Sequence, residues 1–131
     1  MPDSPLPKSP TARKAVPVAT GFIDYFPLAI AAVAHASFVG NEQHNPGTPL
    51  HWDRSKSGDE ADALLRHFME RGTSDSDGIR HSVKVAWRAM ALLQKELEAE
   101  QVAAAEVPAF LRTEDEVQEY IRSLNEGWDQ P

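Results

Sequence analysis

Asp59 and Asp62 stand three residues apart in the segment GDEADALLRHFMER. On a helix this spacing projects both carboxylates from one face. Two like charges held together cost free energy unless a cation sits between them. Magnesium and manganese are hard ions that favour carboxylate oxygens and water. The D-x-x-D step is therefore half of a metal site that could also hold phosphates. Arg66, one turn after Asp62, could equally pair with it on the surface.

A second set lies in the stretch DGIRHSVKVAWR. His81, Lys84 and Arg88 recur at i, i+3 and i+7, so they form one stripe of a helix, with Asp77 just ahead of it. Such a stripe suits a polyphosphate. The anion would meet the carboxylates through an ion and meet Lys84 or Arg88 directly. His81 is the titratable candidate for assisting proton transfer, with Asp77 beside it. A solvated helix face is the plainer alternative. Further candidates for contacting a substrate are Arg66, the loop residues His44 and Asn45, and Lys14, if the arm that carries it folds back on a ligand phosphate. The loop 41–56 also gathers His51, Trp52 and Asp53, and Trp52 reads as a hydrophobic anchor or a stacking platform.

Other chemistries find no motif here. There is no phosphate-binding G-x-x-x-x-G-K-[ST] loop, no G-x-S-x-G elbow, no H-E-x-x-H and no His-Asp dipeptide. The absence of cysteine removes disulfides, thiolate metal sites and cysteine nucleophiles.

These residues need helices to hold them. The segment 26–40 is apolar on nearly every side, with Pro27 suited to its first turn and Gly40 to its stop, and reads as a central core helix. A second helix is expected over 58–71, with Ala61, Leu64, Leu65 and Phe68 as its buried stripe. A third is expected from Asp77 to about residue 100, burying Ile79, Val83, Ala86, Met90, Leu93 and Leu97. If these two are antiparallel neighbours, their polar faces enclose one cleft. Thr113 and Glu116 form a capping box for a last, acidic helix.

The fold class is thus all-α, a small helical bundle. Residues 1–20 are expected to be an irregular Pro-rich arm, 21–106 the helical domain, and 107–131 the acidic C-terminal helix and tail. Residues 1–95 carry eleven Lys/Arg against ten Asp/Glu, and residues 96–131 carry two against ten. Neither part is a basic surface for a nucleic-acid backbone. No apolar stretch is long enough to span a bilayer and no signal peptide is evident, so a cytoplasmic protein without membrane or nucleic-acid partners is expected. So small a helical core gains from a second subunit, which points to a homodimer or a dimer of dimers.

The pieces DYFP, NEQHNPG-x-PLHW, AD-x-LLRH, RGT-x-D-x-DG-x-RHS-x-KVAWRA and LLQ-x-E span roughly residues 13–98. In them the chain resembles the phage family of dATP/dGTP diphosphohydrolases. The resemblance implies a MazG-like all-α enzyme that uses Mg2+ or Mn2+ to cut purine deoxynucleoside triphosphates into monophosphate and pyrophosphate. For a phage-encoded chain it also implies work in the host cytoplasm. MazG-like enzymes carry E-x-x-E on one helix and E-x-x-D on the next. This chain has Asp59 and Asp62 in the first place, and His81 and Lys84 in the second. Either Glu42 and Asp77 complete the metal site from outside the helices, or catalysis differs. Two other readings stand beside this one. One is a non-catalytic helical module that binds a nucleotide or a protein. The other is a zinc hydrolase using His44, His51, His67 or His81.

Overall fold

The structure, a computed structural model, describes residues 4–104 together with Asp115, Glu116, Gln118, Glu119 and Arg122. Among the described residues there is no strand, only an isolated antiparallel bridge between Ser74 and Arg80. The all-α expectation holds. The chain divides into two compact units, Met1–Tyr25 with Leu97–Pro131, and Phe26–Glu96.

In the first unit, helix α1 spans Pro10–Lys14, inside the arm expected to be irregular. Ser9 caps it by accepting from the Ala12 amide at 3.1 Å, and Pro10 supplies a preset first turn. A π-type turn follows at Ala19–Ile23. The helix expected from Thr113 lies largely outside the described residues. Asp115, Glu116, Gln118, Glu119 and Arg122 are helical.

The second unit holds α2 (Pro27–His44), α3 (Glu60–Met69) and the first four turns of α4 (His81–Ala104). Helix α2 runs through Gly40, the expected stop, because nothing at Gly40 demands a left-handed turn. It ends instead at Asn45, which precedes Pro46 and is thereby driven out of the helical region. Nor do the described residues enclose α2. Asn41 is its one buried residue, while Leu28 is 86 % exposed and Phe38 55 %.

Helix α4 starts at His81 rather than Asp77 because residues 73–80 close a tight turn. The Asp77 carboxylate accepts from the Ile79 amide at 3.0 Å, Gly78 adopts φ 82°, and the His81 amide donates to Thr73 O at 3.0 Å. Helices α3 and α4 are antiparallel, since Glu60 pairs with Lys95 (3.0 Å) and Arg88 (3.4 Å) while His67 meets His81 (2.9 Å).

The stripes they turn towards each other mix charged and apolar residues. On α3 the inward positions are Glu60, Ala63, Leu64 and His67, and Leu65 and Phe68 are left exposed. On α4 the inward line is His81, Lys84, Arg88, Ala91 and Lys95, with Met90 and Leu93 outside. Of the expected apolar stripes, Leu64, Ile79, Val83, Ala86 and Leu97 are half-buried, while Ala61, Leu65, Phe68, Met90 and Leu93 are exposed. Charge pairing across the two helices offsets the desolvation that would otherwise keep these polar faces in water. No single helix among the described residues is long and apolar enough to cross a membrane.

Candidate functional site

The α2–loop–α3–α4 unit surrounds a cleft of ≈ 850 Å³, a size that suits a small-molecule ligand. One wall is the C-terminal end of α2 with the loop after it. The other is formed by the 73–80 turn and the first turns of α4. Trp87 ties the walls together. Its indole N–H donates to Ser37 Oγ at 2.8 Å, and its ring meets Trp52 edge-on at 5.7 Å. The Arg54 guanidinium lies 4.1 Å over the other tryptophan ring, that of Trp52.

Lys84 is the centre of the 73–80 turn. Its ammonium donates to Asp75 at 2.7 Å and to Asp77 at 2.8 Å. The Lys84 hydrogen bond, with a second from the Ser76 amide, holds the Asp75 carboxyl down at about 2. The same ammonium lowers Asp77. Burial pulls Lys84 down, but its two carboxylate partners outweigh that and leave it raised.

Arg88 is held one turn later. It donates to Ser57 Oγ at 2.6 Å and reaches Glu60 at 3.4 Å. Glu60 is 4 % exposed. Burial pushes its carboxyl up, yet hydrogen bonds from Ser57 and Lys95 more than compensate and keep it ionised. In the sequence Glu60 lies off the stripe that joins Asp59 and Asp62. Its distant partners, Arg88 and Lys95, are what make it central.

His67 and His81 form a third group. Their Nδ1 atoms lie 2.9 Å apart, and His81 Nε2 lies 3.0 Å from Glu70 Oε2. A neutral His81 with its proton on Nε2 facing Glu70 presents a Nδ1 lone pair, which accepts the His67 Nδ1–H. Burial first, and then the positive field of Lys84, lowers His67 and favours its neutral form. His67 faces the cleft; His81 is buried behind it and does not.

Of the residues singled out from the sequence, His44, Asn45, Asp77, Lys84 and Arg88 come together on this cleft, and His51, Trp52 and Asp53 with them. Glu42, Asp59, Asp62 and Arg66 do not line it; all four are exposed. Asp59 stands at the N-cap position of α3 without a side-chain capping bond, and its carboxylate is instead paired with Arg66 at 2.8 Å, which lowers it. Lys14 is exposed on α1, in the other unit. The acidic set suggested by helix spacing, Asp59, Asp62 and Glu42, is therefore not assembled around the cleft.

Asn41 was missed altogether. It lines the cleft while only 7 % exposed; its amide N–H donates to Thr48 O at 3.1 Å, and its Oδ1 has no hydrogen-bond partner among the described residues. A buried acceptor without a protein donor is costly, so Oδ1 is open to an N–H or O–H that enters the cleft. It opens the polar NEQH turn that ends α2, and the sequence does not distinguish it from its neighbours because its burial depends on the packing of the loop that follows.

No curated protein and no solved structure matches the chain. The family model described as dATP/dGTP diphosphohydrolase, N-terminal, matches residues 9–105, a stretch that holds every residue of the cleft. The chain belongs to the dATP/dGTP diphosphohydrolase N-terminal family.

Proposed function

We propose that the cleft binds a purine deoxynucleoside triphosphate and hydrolyses it between the α- and β-phosphates, releasing the monophosphate and pyrophosphate. In a phage setting this would reshape the purine deoxynucleotide pool of the host cytoplasm. The observation that carries the reading is the shared placement of Lys84 and Arg88 with Trp52 and Asn41 around one cleft in the segment matched by the family.

Lys84 and Arg88 are held rigidly by carboxylates, so their charges are already oriented when an anion arrives. The departing pyrophosphate gains negative charge as the bond breaks, and both cations can stabilise it. Trp52 offers a face for a purine, and Asn41 Oδ1 an acceptor for an exocyclic amine. Magnesium or manganese belongs to this reading and, when bound with the triphosphate, supplies neutralisation of its charge.

The test is a nucleotide panel with magnesium or manganese, its products resolved by chromatography. Labelled γ-phosphate should appear in pyrophosphate. Its appearance as orthophosphate or intact tripolyphosphate would refute the assigned bond.

A second reading, nucleotide binding without turnover, draws on the same ion pairs. Lys84 and Arg88 each already have an acidic partner, as in a binding cleft that performs no chemistry. Tight binding with no product from any nucleotide would favour it.

A further inference from the structure

We propose that His67, Asp75 and His81 form a binding site for one divalent transition-metal ion, zinc foremost, at the back of the cleft. The potential ligand atoms of these three side chains all lie within 4.8 Å of one another. They are the one such group of His, Asp or Glu found among the described residues. The set comes from three places in the fold: the last turn of α3, the 73–80 turn and the first residue of α4. Its assembly is therefore a product of tertiary structure and not a chance run of neighbours.

The donor chemistry selects the ion. Two imidazoles and one carboxylate suit zinc and its neighbours, whereas magnesium requires oxygen donors and retains its waters. Two nitrogens bound tetrahedrally to zinc at about 2.05 Å stand about 3.3 Å apart. The His67 and His81 Nδ1 atoms stand at 2.9 Å, so the rings need to part by only a few tenths of an ångström. His67 would then carry its proton on Nε2.

Two further features belong to metal sites. The Glu70 carboxylate lies 3.0 Å from His81 Nε2, the nitrogen remote from the ion. This partner fixes the tautomer that presents Nδ1 as a donor, the usual office of a carboxylate behind a ligating histidine. Three protein donors also leave a fourth position free. His67 and Asp75 both line the cleft, so that position opens into it. The site is thus of the open kind, able to take an anionic oxygen as its last ligand.

The experiment uses the tag-free full chain, stripped with a chelator and titrated without nucleotide. Zinc is followed by calorimetry, and cobalt by its visible absorption. One equivalent of each should bind, with zinc at least about 100-fold tighter than magnesium. His67→Gln and Asp75→Asn should each weaken zinc binding at least about 100-fold. Glu70→Gln, which removes only the orienting charge, should weaken it by about 10- to 100-fold. Circular dichroism checks that each variant is folded, and His67, being half-buried, is a safer substitution than the buried His81. His35→Gln, on the exposed side of α2, should bind as the parent does. No zinc uptake at micromolar metal, or equal uptake by the parent and the His67 and Asp75 variants, would overturn the site. Because no nucleotide is present, this result stands or falls apart from the triphosphate reading.

Discussion

Removing the Lys84 ammonium would leave Asp75 and Asp77 as two neighbouring carboxylates with no cation between them. Lys84→Ala should therefore act twice. It should lower the unfolding free energy by about 1–3 kcal/mol, less than the full cost of orphaning a wholly buried charge because both carboxylates keep some access to water. It should also lower nucleotide turnover by about 100-fold, through loss of one oriented charge at the phosphates. Thermal melts and steady-state kinetics on the same preparation separate the two effects. Asn41→Ala removes the Oδ1 acceptor together with the amide bond to Thr48 O, so a thermal melt accompanies its kinetics. If Oδ1 accepts from the base, KM should rise about 10-fold with kcat unchanged, the worth of one buried hydrogen bond. An unchanged KM would remove Asn41 from base recognition. At the same scale Asp62→Asn should keep its turnover, because Asp62 is exposed and does not line the cleft. Loss of activity in that variant would restore the acidic stripe as the ion site.

Between elements, the α3–α4 contact is held by charge, so it should respond to pH in a definite order. His67 is lowered from 6.5, so as pH falls below 6.5 the unfolded chain takes up a proton that the native chain resists. Stability should start to decline there. Asp75 is lowered from 3.8 to about 2, so its contribution is whole above 3.8 and drains away as pH falls towards 2. Lys84 is raised above 10.5, and its contribution persists through neutral pH and is lost only in strong base. Melting temperature against pH should show the two acid stages, and His67→Gln should erase the first while sparing the second. A two-stage profile persisting in that variant would assign the first stage elsewhere. Glu60 carries the other end of the contact. Glu60→Gln would leave Lys95 and Arg88 facing a neutral group and should cost about 3 kcal/mol, read as a drop in denaturant midpoint at constant slope.

At the level of the whole molecule, the described residues bury little apolar surface. The buried apolar side chains are Ala12, Ala63 and Ala91, while Leu28 and Met69 stand 86 % and 81 % exposed. A helix as apolar as α2 that the described residues leave uncovered is suited to a partner, and a second copy of the same chain would supply one by symmetry. Light scattering at micromolar concentration should give a dimer or a dimer of dimers. Leu28→Asp should shift that population towards monomer. A stable monomer for the parent chain would contradict the expectation.

The sequence by itself determined the helical class, the family and the stretch that carries the chemistry. Helical periodicity, capping residues and the motifs from His67 to Trp87 are local signals, and local signals survive without a fold. It also showed that His81, Lys84 and Arg88 share one stripe. What periodicity cannot state is which stripe turns inward. The apolar stripes of α3 and α4 were the natural choice, yet the structure buries them only in part and buries Glu60 and His81 beside them, because Glu60 finds Arg88 and Lys95 some thirty residues away and their mutual attraction offsets desolvation. The same long-range pairing brings His67 to His81, places Asn41 at the cleft and leaves Asp59 and Asp62 outside it. Those decisions depend on partners distant in the chain, and only the tertiary structure brings such partners together.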